Sequence, residues 1–152
     1  KDREMKYLSS VADAIYDFED TEWDQSGWNG IDAGYNLKDT CGWNADGYGT
    51  DIYGFAALAS GFKALGSDFE GMGDNTYFWT SNEYDSLSSW TLGLRNDKLR
   101  IERNYGYFKT NAFTVRCIKD CSPQPTQSDA GNDNLLVPGD SIALEANTPL
   151  VG

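Results

Sequence analysis

Residues 74–94, DNTYFWTSNEYDSLSSWTLGL, decide how this chain is read. Two runs rich in threonine and aromatic residues, TYFWTS (76–81) and SSWTLGLR (88–95), read as strands on either side of a polar segment. Strand alternation sends Phe78, Thr80 and Asn82 to one face and Trp79, Ser81 and Glu83 to the other. Both faces therefore carry a ring, and the sheet needs cover on two sides or exposes aromatics on one. Core packing is the favoured expectation for Trp79 and Trp90, with a long upstream loop covering the second face. The sharper alternative is a binding surface, because rings set among Asn, Asp and Glu suit sugars: C–H faces stack while hydroxyls bond to amides and carboxylates.

Working outward, KLRIERNY (98–105) and AFTVRCIKD (112–120) continue the strand pattern, and RND (95–97) supplies turn chemistry between the second and third runs. In the last run Phe113, Val115 and Cys117 alternate with Thr114, Arg116 and Ile118, which places Cys117 inward. GFAALASGFK (54–63) reads as a short strand and turn. Residues 2–16 set Met5, Leu8, Ala12 and Ile15 on one helical face, with Asp2 as N-cap or early acid and Glu4 in the first turn. This helix is expected to cover a sheet. From Thr21 to Gly54, Gly and Asn/Asp recur too often for long regular elements. The stretch still holds Trp23, Trp28, Tyr35, Trp43, Tyr48 and Tyr53, which predicts an ordered loop region pinned by its own rings.

The chain has 152 residues, 24 acidic and 12 basic, and a net charge of −12. That length suits one domain with an appendage. The charge repels nucleic-acid backbones and anionic membranes, so nucleic-acid partners and membrane insertion are not expected. No apolar run reaches membrane-spanning length; the absence of a signal peptide carries no weight, because Lys1 opens directly on the helical pattern, as a mature product or a fragment would. The absence of histidine excludes Ser-His-Asp and Cys-His machinery and the usual mixed zinc sites. Cys41, Cys117 and Cys121 form no C-x-x-C pair. High Gly, Tyr, Trp, Asn and Ser suggests a secreted β-rich protein, a compartment that permits a disulfide. After Cys121 the composition changes: residues 122–134 read as a linker, and 135–152 as the start of a β-sandwich module.

DAGYNLK (32–38) followed by Gly42-Trp43, GTDIYGFAAL (49–58), FWTSNEYD (78–85), SSWTLGL (88–94) and FTVRCIKD (113–120) occur in an order that resembles the Fibrobacter succinogenes major paralogous domain. The resemblance covers roughly residues 3–120. It implies an α+β, C-type-lectin-like fold related to sulfatase-modifying factors, with one or two helices, a twisted antiparallel sheet and long ordered loops, at 1–121. It also implies a surface or secreted protein of Bacteroidota or Fibrobacterota. Residues 128–152 are similar to the opening of PKD- or Ig-like repeats. Three positions depart from the family pattern: Ala59 stands where a proline is common, and Cys41 and Cys121 are additions. Cys117 fits the family's terminal motif, so Cys41 and Cys121 are the expected disulfide, with Cys41–Cys117 as the rival.

The expected function is extracellular, non-enzymatic recognition or adhesion toward a glycan or protein. The alternatives are a structural unit of a surface fibre or stalk, and a carboxylate-dependent glycan hydrolase. The candidate ligand face is an island of Arg95, Asn96, Asp97, Arg100, Arg103, Asn104, Tyr105, Tyr107 and Asn111, with Glu83 beside it. Four of five arginines lie between Arg95 and Arg116, and Arg and Tyr are favoured at binding hot spots. Its bland counterpart is a solvated strand face whose arginines neutralise carboxylates. No cofactor is required on this reading; calcium is a candidate at Asn44, Asp46 and Asp51, a loop that equally suits metal-free Asx turns. The strand-like tail, 135–147, is expected to pair with neighbouring Ig-like modules or another chain.

Overall fold

The computed structural model describes residues 2–117. One compact unit runs Lys1–Arg116. The linker at 122–134 and the β-sandwich start at 135–152 lie outside the described residues, as do residues 118–121 at the end of the expected first domain.

The unit is α+β. Helix α1 (Asp2–Ala12) is followed by a 3-10 turn (Thr21–Asp24), strand β1 (Gly27–Asn29) and helix α2 (Ala33–Leu37). Strands β2 (Ser60–Lys63), β3 (Phe69–Met72), β4 (Asn75–Glu83), β5 (Ser88–Arg95) and β6 (Ile101–Phe108) come after them. They form one six-stranded sheet in the order β1-β6-β5-β4-β2-β3. All neighbours are antiparallel except β2 and β4, which meet in parallel at Gly61 and Thr76.

The alternation read from the quoted stretch holds through Thr80. Thr76, Phe78 and Thr80 are buried on the face that also holds Leu92, Leu94 and Ile101. Met5, Ala12, Trp23, Ala33, Leu37 and Trp43 join Phe78 and these aliphatics in one core cluster. α1 ends at Ala12, short of the expected 16, because the Asp13 carboxylate accepts the Ile15 and Tyr16 amides and turns the chain. The same group accepts the Ile31 and Asp32 amides. Burial would raise its pKa, but the four backbone donors outweigh this and hold it below the ordinary carboxylate value. Ile15, expected on the buried face, is 68% exposed beyond that turn.

The other face of the sheet is covered by residues after β6 rather than by the long loop. Phe113 stacks on Trp79 (centroids 4.6 Å apart) and on Tyr77, with Phe62 and Tyr107 against its edge. Among the described residues this run pairs only at Ala112 and Thr114, through isolated bridges to Lys63 and Phe78. Val115 and Cys117 are exposed, so the inward placement of Cys117 is corrected: the alternation does not persist past Thr114.

The loop region is held by its tryptophans. Trp23 and Trp43 are buried and donate Nε1 to the carbonyls of Asp17 (2.8 Å) and Ala57 (3.0 Å). Tyr48 and Tyr53, expected to serve likewise, are exposed. α2 rests on backbone: Tyr35 N donates to Leu99 O at 2.8 Å, and a Cβ on Gly34 would overlap the Arg100 carbonyl.

Candidate ligand-binding site

The residues of the predicted island separate into a turn and two opposite sheet faces. In the β5–β6 turn, Arg95 Nε lies 3.2 Å from Asp97, which also pairs with Lys98 at 3.3 Å. Asn96 bonds to Asp74 through its backbone amide (2.8 Å) and its side-chain amide (2.9 Å). Beneath the turn Lys38 is fully buried. Its Nζ donates to the carbonyls of Arg95 (3.1 Å), Asn96 (3.5 Å) and Lys98 (3.1 Å), 5.2 Å from the Trp43 ring centroid. Burial lowers the Lys38 pKa to about 8 against the opposing pull of Asp97. Arg100 is exposed just past the turn.

The two faces are set by a β-bulge. Thr91 pairs with Asn104 but Ser89 pairs with Tyr107, so β6 carries one residue more than β5 across this interval. Tyr105 therefore stays on the Arg103 face, whereas Tyr107 turns to the Tyr77–Phe113 side. Burial, then the hydrogen bond with Tyr77, pushes the Tyr107 phenol well above its ordinary pKa. Asn104 donates to Glu102 and accepts the Gly106 amide; Asn111 accepts the Leu65 amide. These three island residues serve the fold. Glu83 is exposed and pairs with Lys109 at 2.8 Å.

What remains is a cluster of three rings on the α1 side of the sheet. Tyr84 and Tyr105 stack at 4.4 Å, with Trp90 edge-on to both at 5.7 and 5.1 Å. Tyr84 is 52% and Tyr105 38% exposed, and neither hydroxyl has a hydrogen-bond partner among the described residues. Arg103 lies 3.6 Å over the Trp90 ring. Its Nε and Nη2 grip Asp2 (3.2 and 2.9 Å), and Nη1 donates to the Asp24 carbonyl at 3.1 Å. Lys6 completes the network with an ion pair to Asp24, whose pKa it lowers, and one to Asp2 at 3.8 Å. Arg103 is thus a clamp between α1 and β6 instead of an available ligand contact.

A cleft of ≈ 450 Å³ opens beside this network, lined by Asp2, Lys6, Phe18, Trp23, Asp24 and Asn82 among others. The Asp2 amide donates to Asn82 Oδ1 at 2.8 Å, which joins the cleft to the strand that leads into Tyr84. The sequence reading missed Asp2, Lys6, Phe18 and Asp24 as parts of this region, and Tyr84 and Trp90 as partners of Tyr105. The rings were present in the quoted stretch, but the bulge that groups them has no composition signal.

The calcium residues have separate partners. Asn44 donates to Asp74 (3.2 Å) and Asp51 accepts the Ala56 amide (2.6 Å). Asp46 is exposed in a left-handed turn, φ 56°. Among the described residues no group of three Asp, Glu or Cys could hold a metal ion. Cys41 and Cys117 are free and exposed, and Cys121 lies outside the described residues. The Cys41 thiol donates to Asp39 Oδ1 at 3.5 Å, and this bond with the Asp39 charge raises its pKa. No described helix is long and apolar enough to cross a membrane.

The family model described as the Fibrobacter succinogenes major domain matches residues 2–119. No curated protein and no solved structure matches the chain.

Proposed function

Because the chain belongs to the Fibrobacter succinogenes major domain family, we propose that it is an extracellular, non-enzymatic recognition module that binds a glycan through Tyr84, Trp90 and Tyr105. The observation that carries this reading is the exposed stack of Tyr84 on Tyr105, backed by a tryptophan whose other contact is a clamped guanidinium. Aromatic rings held rigidly lose little conformational freedom on binding, and their faces complement sugar C–H surfaces. The adjoining cleft supplies room for further units of a chain.

The C-type-lectin-like assignment belongs to the same proposal. Two helices precede most of the sheet, and long irregular segments pinned by tryptophans occupy much of the chain between α1 and β2, which is consistent with that fold group. The PKD- or Ig-like start at 135–152 would make the module one unit of a larger surface protein. An oxidising compartment would allow Cys41 and Cys121 to pair; peptide mapping without reduction tests this, and a cross-link containing Cys117 or three free thiols refutes it.

The test of the function is a glycan and protein array probed with the full chain, with and without calcium. Binding to glycans that is lost in Tyr84→Ala and Tyr105→Ala supports the reading. Binding only to proteins, or binding indifferent to both variants, overturns it.

A further inference from the structure

We infer that the glycan taken by the Tyr84–Trp90–Tyr105 platform carries no anionic sugars, so that uronate-bearing chains are excluded. The inference rests on the platform reading above and adds the ligand's charge class, which follows from how the neighbouring ions are used.

Arg103, Lys109 and Lys6 are already committed to acceptors of the chain itself. Arg103 has its bidentate edge, Nε with Nη2, on Asp2, and gives Nη1 to the Asp24 carbonyl. Lys109 directs its ammonium to Glu83 Oε1 (2.8 Å) and to the carbonyls of Asp85 (3.0 Å) and Ser86 (3.2 Å), one acceptor for each of its three protons. Lys6 is shared between Asp24 and Asp2. Arg3 lies over Phe18 in the cleft, where Glu19 and Asp20 outnumber it. A ligand carboxylate would therefore have to displace an existing ion pair to reach Arg103, Lys109 or Lys6, and at Arg3 it would meet the cleft's own carboxylates, Asp2, Glu19, Asp20 and Asp24.

Acceptors, by contrast, are available. Asp85, next to Tyr84 in sequence, receives Leu87 N, Ser88 N and Ser88 Oγ on Oδ1 alone, at 2.7 to 2.8 Å. Its Oδ2 accepts no hydrogen bond among the described residues, nor do the Tyr84 and Tyr105 hydroxyls. Rings for C–H faces, a fixed carboxylate oxygen and two phenols suit a ligand rich in hydroxyl donors. The chain's net charge of −12 further opposes a polyanion.

The experiment is affinity electrophoresis of the full chain through gels holding a neutral glucan, a neutral galactomannan or polygalacturonate, at low and physiological salt. The wild type is run beside Tyr84→Ala and Tyr105→Ala, both changes of exposed side chains. Retardation by a neutral polymer, weakened on the order of ten-fold by either variant, with none by polygalacturonate at either salt, is expected. Retardation by polygalacturonate that depends on Tyr84 overturns the charge inference while leaving the platform standing. Retardation by no polymer, or retardation unaffected by both variants, overturns the platform reading and the inference with it.

Discussion

Arg103 illustrates how one side chain can look like a ligand contact in sequence and prove to be a fastener in space. It is 11% exposed at the side chain and Asp2 16%, so its removal leaves a carboxylate poorly solvated and without its main partner. Arg103→Ala is expected to cost about 2–3 kcal/mol, read as a lower urea midpoint with an unchanged slope. A loss below about 0.5 kcal/mol, the range of ordinary surface changes, would show the clamp to be idle. Lys38 gives a second prediction at this scale. Its folded pKa of about 8 lies below the unfolded value near 10.4. Between these values the unfolded chain holds a proton the folded one has shed, so stability climbs as pH rises through that window. From about pH 9 the raised Cys41 thiol, and near pH 10 and above the raised Tyr77 and Tyr107 phenols, oppose the trend, since each ionises first in the unfolded chain. Urea midpoints at pH 7.5 and 9.5 check this: a higher value at 9.5 is expected, and an equal or lower one contradicts it.

At the level of elements, the bulge in β6 opposite Trp90 assigns each aromatic residue to its face. Without the extra residue, Tyr105 and Tyr107 would share one side of the sheet; with it, one joins the exposed platform and the other the covered Tyr77–Phe113 cluster. α2 depends on a different local feature, the absence of a side chain at Gly34. Its backbone meets Leu99 and Arg100 directly, and a backbone neighbour cannot rotate away as a side chain can. Gly34→Ala is expected to destabilise by about 2–3 kcal/mol through overpacking, measured by urea denaturation. Wild-type stability in this variant would mean that α2 docks less closely than described.

Across the whole molecule, the long alternating runs were legible because alternation reports burial on one face directly: β4 and β5 lie where TYFWTS and SSWTLGLR placed them. Short elements were not. β1 and β3 have three and four residues, too few for periodicity to emerge, and α2 lies in a Gly- and Asn-rich segment that reads as loop. Tyr105 was legible as a surface residue, since Tyr among Arg and Asn is an exposed pattern. Its partners were not, because Tyr84 and Trp90 reach it through strand pairing and a bulge. The same long-range logic removed Arg103, whose partner Asp2 is 101 residues away. On the proposed function, the Tyr84–Trp90–Tyr105 platform and the adjoining cleft are the ligand face. Amide and indole chemical-shift mapping of the full chain, titrated with the array's best-binding glycan, tests it most directly. Shifts centred on Asn82, Tyr84, Trp90 and Tyr105 are predicted; shifts confined to the β2–β3 edge or the β5–β6 turn, with the Trp90 indole unmoved, would contradict it.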